Sequence, residues 1–315
     1  MTARSLRRIL SLRHPLLQAG MGGVAGPALA AAVAKAGAGG CFGGYKLAGP
    51  ELTAALAEVL ISTDGAVGVN LIPEVVGQEK LLRQVEQVLA GSPLRMHLCF
   101  FGLPDPAVLR LLRDSSRVSV VQVGTPQDAR AAAEYAQVVV LQGEEAGGHL
   151  LGGWSRDELV ARVRAELPGT CLVAAGGIGS RAQLRAALDA GADGGCVGTA
   201  FVPATESSAH PHFQRAVLRA GGADTVVTEV YRIGWPGRRH RVLRTAVTDH
   251  PDRPARIIGR TRLGEREYLI PRFSSAVPTV ATTGQVGEMA QYCGLSCADV
   301  TEQVSAAEVV RRLTC

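Results

Sequence analysis

The sequence predicts an α/β protein whose main body is a TIM (β/α)8 barrel, with a small additional, mostly helical lid domain. Three observations lead there. From Leu16 to Ala200, short apolar, β-branched or glycine-terminated runs alternate with longer segments of helical period. This is the signature of repeated βα units and a parallel sheet. The runs number eight, which is the count a closed barrel needs, and the last two end in glycine-rich turns.

The predicted strands, in order, are Pro15–Gln18, Gly39–Phe42, Ala66–Asn70, Met96–Phe101, Val118–Val123, Val138–Gln142, Cys171–Ala175 and Gly195–Val197. Helices are predicted between them at Gly26–Ala36, Gly49–Ser62, Glu74–Ala90, Pro106–Arg113, Pro126–Tyr135, Arg156–Glu166 and Arg181–Ala190. Pro27, Pro50, Pro106 and Pro126 stand near helix starts, where a missing N–H costs nothing. A doubly wound open sheet competes with the barrel. It would place a GxGxxG turn after its first strand, but Gly20-Met21-Gly22-Gly23 lacks that spacing.

After Phe201-Val202-Pro203 the alternation stops. The expected division is a barrel over 1–203, an arginine-rich inserted lid or substrate domain over 204–275, and a C-terminal segment over 276–315 that packs back on the barrel. A further helix is expected at Ser305–Leu313.

With 315 residues, 47% hydrophobic and 19% charged, the chain can bury a substantial core. The net charge is +5, but the arginines are spread out, with a concentration from Arg232 to Arg272, and aromatics make up only 4%. Nucleic-acid binding is therefore not expected. Seven cysteines without a CxxC pair, three of them (Cys99, Cys171, Cys196) in apolar strands, fit a reducing, cytoplasmic setting. Arg4, Arg7 and Arg8 give a weakly signal-like start without the apolar core or cleavage site that would complete it, and there is no run of 18 apolar residues. No membrane partner is expected.

The chemistry is expected at the late strand ends. A phosphate needs convergent backbone N–H groups left uncovered by small residues, ideally at a helix start. Gly176-Gly177-Ile178-Gly179 before the Arg181 helix, and Gly198-Thr199 after the last strand, fall where barrels bind phosphate. Either turn alone could simply be a tight βα connection; the pair favours a phosphate. Strand six runs into Gln142-Gly143-Glu144-Glu145-Ala146-Gly147-Gly148-His149, which offers an imidazole at the catalytic face as a candidate general base. Glu144 and Glu145 read more simply as a solvated acidic loop. Asn70 and Gln142 are amides suited either to a heterocycle or to a turn. His210-Pro211-His212 lacks the partners of a metal site, so no metal is expected. Arg238-Arg239-His240-Arg241 reads as a solvated basic segment.

These residues resemble the nitronate monooxygenase family, formerly called 2-nitropropane dioxygenases, and its sibling flavin-dependent enoyl-ACP reductases. The likeness runs through Pro15–Ala25, Gly68-Val69-Asn70, the Gln142–His149 signature, Ala175–Ile178, Gly198–Phe201 and Gly284–Ala290, and the EAGGH loop is its most specific element. The resemblance implies FMN. Its contacts would be Asn70, Gln142, Gly147, Gly148, Gly176, Gly177 and the Cys196-Val197-Gly198-Thr199 turn, with Gly20, Met21 and Gly22 beside the isoalloxazine and His149 as the catalytic histidine. Two positions depart from the family pattern. Cys196 stands where members often carry Gln, which puts a side-chain contact there in doubt, and Glu134-Tyr135-Ala136-Gln137 replaces a commoner Gly-Ala-Asp.

The implied reaction is oxidation of an alkyl nitronate or nitro acid with O2 to a carbonyl compound and nitrite. His149 would deprotonate a nitroalkane or anchor the nitronate. The alternative is an NAD(P)H-dependent FMN enoyl thioester or quinone reductase on the same scaffold. A non-catalytic flavin-binding module is a third reading, against which the retained His149 argues. A homodimer is a candidate assembly that the sequence does not decide.

Overall fold

A computed structural model describes residues 5–264 and 266–315; Arg4 lies outside the described residues. The barrel strands are β1 (Leu16–Gln18), β2 (Gly40–Gly43), β3 (Val67–Leu71), β4 (His97–Phe101), β5 (Ser119–Val123), β6 (Val138–Gln142), β8 (Cys171–Ala175) and β9 (Gly194–Val197). A two-residue strand, β7 (Gly148–His149), lies outside the barrel. The eight form one parallel sheet in the order β1-β9-β8-β6-β5-β4-β3-β2. A Leu17–Gly39 bridge brings β1 against β2, so the sheet closes into the barrel that the alternation predicts.

Side-chain alternation builds two cores. Leu16, Val69, Leu98, Val121, Val139, Leu141, Leu172 and Val197 face outward into the helix layer. Leu17, Val120, Val138, Val140, Cys171, Val173 and Cys196 fill the interior, joined by Leu6, Leu10 and Leu12 of the N-terminal segment. The four prolines sit in the first turns of their helices, as expected. The predicted Glu74–Ala90 helix is instead two, Pro73–Val76 and Gln78–Gly91, broken at Gly77.

The segment after the barrel is a correction: it is not mostly helical. It contains the helix Pro211–Arg219 and a short Ala246–Asp249 turn of helix, but also β10 (Thr225–Thr228), β11 (His240–Leu243), β12 (Ile257–Leu263) and β13 (Arg266–Pro271). The period-2 signal is hidden because β12 and β13 carry arginines on exposed faces and leave Ile257, Tyr268 and Leu269 exposed. β14 (Thr283–Gly284) adds to β12. The C-terminal helix Ala306–Thr314 buries Val309, Val310 and Leu313 in the main core.

β10, β11 and β7 form a sheet of their own, in which His240 pairs with His149 and Arg241 with Gly148. The Arg238–Arg241 segment is therefore not a solvated basic run. His240 is fully buried, and the Arg241 guanidinium donates to Glu144 O at 2.9 and 3.1 Å. All seven thiols are free. Among the described residues, no helix is long and apolar enough to cross a membrane.

Candidate active site

At the C-terminal end of the barrel lies a cleft of about 1200 Å³, solvent at its mouth included. The ends of all eight barrel strands contribute to it. Every residue that the sequence assigns to the cofactor or to catalysis lines it: Gly20, Met21, Gly22, Asn70, Gln142, Gly147, Gly148, His149, Gly176, Gly177, Cys196, Val197, Gly198 and Thr199.

On one wall are the two glycine turns. Gly176 and Gly177 hold φ of +107° and +63°, conformations that a side chain would strain, and they lead into the capping box of Ser180 and Gln183 on the helix Arg181–Asp189. Gly198 opens the 3-10 turn Thr199–Phe201. Among the described residues, the backbone N–H groups of Gly176, Gly177, Gly198 and Thr199 have no hydrogen-bond partner. Uncovered backbone donors on two neighbouring glycine turns are what a phosphate requires. The barely exposed Arg156 stands behind them: its Nη1 donates to Gly176 O at 3.0 Å, while Nε and Nη2 fork onto Asp157.

The acidic loop has a structural use. The Glu145 carboxylate accepts the Arg156 backbone N–H at 3.1 Å and so caps the helix Arg156–Glu166, in place of the solvated role expected. Replacing Arg156 with leucine leaves the Gly176 carbonyl without this donor. The expected cost is about 1–3 kcal/mol of unfolding free energy, measured by urea denaturation, with weaker FMN retention.

His149 also lines the cleft, and its strand is fixed from two sides. Gln142 Nε2 donates to His149 O at 3.0 Å and Gln142 Oε1 accepts Leu151 N–H at 2.9 Å. Beyond it, Leu150 N–H donates to Arg239 O at 2.8 Å. The Gln142 amide is thus engaged in positioning the histidine strand. The imidazole stacks on Trp235 with ring centroids 4.0 Å apart and planes at 27°, and it lies near Tyr292 (5.1 Å) and His240 (5.3 Å). Burial, reinforced by the charges of His240 and Arg238, pushes its pKa down to about 3, so the ring is neutral at ordinary pH. Nε2 of His149 and Nε1 of Trp235 are buried without partners.

Asn70 lies against the first turn, where its Nδ2 donates to Gly20 O at 3.4 Å. Burial pushes the Cys196 thiol up to about 12, leaving a neutral, small wall group. His210 caps its own helix through Nδ1, which accepts His212 N–H at 3.0 Å.

Sequence reasoning missed Tyr45, Phe101, Gln122, Trp235, Ser275, Tyr292 and Ser296, all of which line the cleft. A signal existed for Trp235 alone, as one of two tryptophans, set in an otherwise polar stretch.

The geometry is that of a (β/α)8 barrel with its cleft at the C-terminal ends of the strands, where barrel enzymes carry their active sites. Over residues 4–315 the chain matches the nitronate monooxygenase family, and it belongs to that family. Membership makes it a flavin-dependent oxidoreductase that binds FMN, and the unpartnered amides at Gly176, Gly177, Gly198 and Thr199 fit the phosphate of that cofactor.

The chain is similar to the (3aS,4S,5R,7aS)-5-hydroxy-7a-methyl-1-oxo-octahydro-1H-indene-4-carboxyl-CoA dehydrogenase of Mycobacterium tuberculosis, at 32% identity over 81% of this chain and 70% of that protein. It is also similar to the nitronate monooxygenase of Pseudomonas aeruginosa, at 32% identity over 70% of this chain and 75% of that one. Among solved structures it resembles FabK from Thermotoga maritima, with a TM-score of 0.80 and 25% identity over 99% of this chain and 95% of that one. It likewise resembles a nitroalkane oxidase from Streptomyces ansochromogenes, with a TM-score of 0.77 and 25% identity over 97% and 96% of the two chains.

Proposed function

We propose that this protein is an NAD(P)H-dependent FMN reductase acting on a conjugated carbonyl compound, an enoyl thioester or a quinone, with His149 as the group that hydrogen-bonds the substrate carbonyl. The observation that carries this reading is the burial of the His149 ring against Trp235, which with Arg238 nearby holds its pKa down at about 3 and keeps it neutral. A base that removes a proton from a nitroalkane must hold that proton as a buried imidazolium next to Arg238. This environment opposes that state. A neutral imidazole N–H, by contrast, polarises a carbonyl without any change of charge, a use of histidine known from other barrel enzymes.

FMN, when bound, supplies the two-electron redox chemistry. The glycine turns would hold its phosphate, and Gly20, Met21, Gly22 and Asn70 would border its ring. Phe101, Trp235 and Tyr292 would exclude water from the reacting carbon. The similarity to a carboxyl-CoA dehydrogenase supports a CoA thioester as substrate.

Nitronate oxidation is the second reading, favoured by the positive charge of Arg238, which is felt at His149. An anionic nitronate that arrives ready made needs a donor and no base.

An anaerobic absorbance titration of the FMN-loaded protein tests the choice. NADH or NADPH is expected to bleach the flavin, and crotonyl-CoA or menadione to restore it. Bleaching by propyl-1-nitronate and not by either nucleotide would overturn the reductase reading.

A further inference from the structure

We propose that Trp235 is a positioning residue for His149: its indole face holds the imidazole in one orientation and keeps water off it. The inference deepens the reading above and rests on it for His149 as the group that touches substrate.

Trp235 reaches the cleft from the connection between β10 and β11, far in sequence from the strand-end loops. The backbone around it is tied down. Ile233 N–H donates to Phe273 O at 2.9 Å, Ser275 N–H donates to Ile233 O at 2.9 Å, and Arg238 is ion-paired with Glu74, on the short helix after β3. Its ring is clamped between two partners, with His149 stacked on one face and Phe101 meeting it edge-on at 5.7 Å and 78°. Two stacked rings leave the imidazole little freedom to turn about its own bonds, and the second ring removes water from that side.

The same connection continues into β11, whose His240 pairs with the His149 backbone. One piece of chain therefore fixes both the backbone and the ring of His149.

The indole N–H is buried without an acceptor, which is unfavourable for a residue that only fills space. The broad stacking face is then the property that this position uses. The titratable and charged groups that face His149 are His240 and Arg238 from the added segment and Tyr292 from the C-terminal segment. None of them is an anion at neutral pH, and Trp235 takes water away from one whole face of the imidazole.

The test compares wild type with Trp235→Phe, Trp235→Leu and Trp235→Ala, all loaded with FMN. The readouts are an NMR titration of the His149 ring from about pH 5 to 8 and steady-state kinetics with NADH and menadione. Wild type and the phenylalanine variant are expected to show a His149 ring that does not titrate. In the alanine variant it is expected to titrate toward the ordinary histidine range, with kcat lowered about 10- to 100-fold and KM changed far less. The leucine variant, apolar but not flat, is expected to keep the ring neutral yet lose most of the kcat, and it guards against simple collapse of the loop.

An unchanged His149 titration and a kcat within about twofold of wild type in the alanine variant would overturn the proposal. So would a phenylalanine variant as impaired as the alanine one, because the N–H and not the face would then be at work. If wild type turns over neither menadione nor crotonyl-CoA, the reductase reading fails, while the NMR titration still decides the role of Trp235.

Discussion

Replacing His149 with alanine is expected to lower kcat/KM for the reducible substrate by about 100- to 1000-fold while FMN stays bound. The loss is chemical and not structural, because the His149 strand is held by its backbone. Gln142 donates to His149 O, and β7 pairs with β11 irrespective of the side chain. Asparagine, which keeps an N–H donor near the same place, is expected to restore about a tenth of the wild-type rate.

The low pKa of His149 carries a further signature. Its folded pKa lies below the unfolded value, so the unfolded chain binds the extra proton first. The fold therefore loses stability as the pH falls from about 6.5 toward 3, and His149→Ala is expected to flatten that slope. Steady-state kinetics and urea unfolding at two pH values check both expectations. Full turnover by the alanine variant would remove His149 from the mechanism.

Replacing Gly198 with aspartate is expected to weaken FMN binding by at least about 100-fold while leaving the apoprotein nearly as stable as wild type. Gly198 has a φ of −112°, and a Cβ built there would lie 3.6 Å from its nearest neighbours, Ala19 and Met21, so a side chain fits without strain. What changes is charge: a carboxylate would enter the turn whose N–H groups have no partner, opposite the cofactor phosphate. Fluorescence titration of apoprotein with FMN, alongside thermal unfolding, separates the two effects. Unchanged affinity would place the phosphate elsewhere.

The contrast between Gly198 and Trp235 shows how the information is distributed along the chain. The barrel was legible because β8 and β9, like the strands before them, announce themselves locally, as apolar runs that end in glycine before a helix. Strand spacing sets their order, and order in a barrel sets position, so the sequence alone brings Gly176, Gly177, Gly198 and Thr199 to one mouth. His149 was legible for the same reason, at the end of the loop that follows β6.

The added segment was not legible as a fold. Its strands β12 and β13 are exposed and arginine-rich, which erases the alternation that betrays a half-buried strand, and β7 is only two residues long. Periodicity reports which side of an element is apolar and nothing about which distant element will cover it. The pairing of His240 with His149, the stacking of Trp235 on the imidazole and the arrival of Tyr292 beside it all join residues far apart in the chain. By itself the sequence determined the barrel and brought the glycine turns and His149 to one mouth of it. Only the tertiary structure decided that this histidine is neutral and sheltered, because its protonation depends on which groups surround it in space.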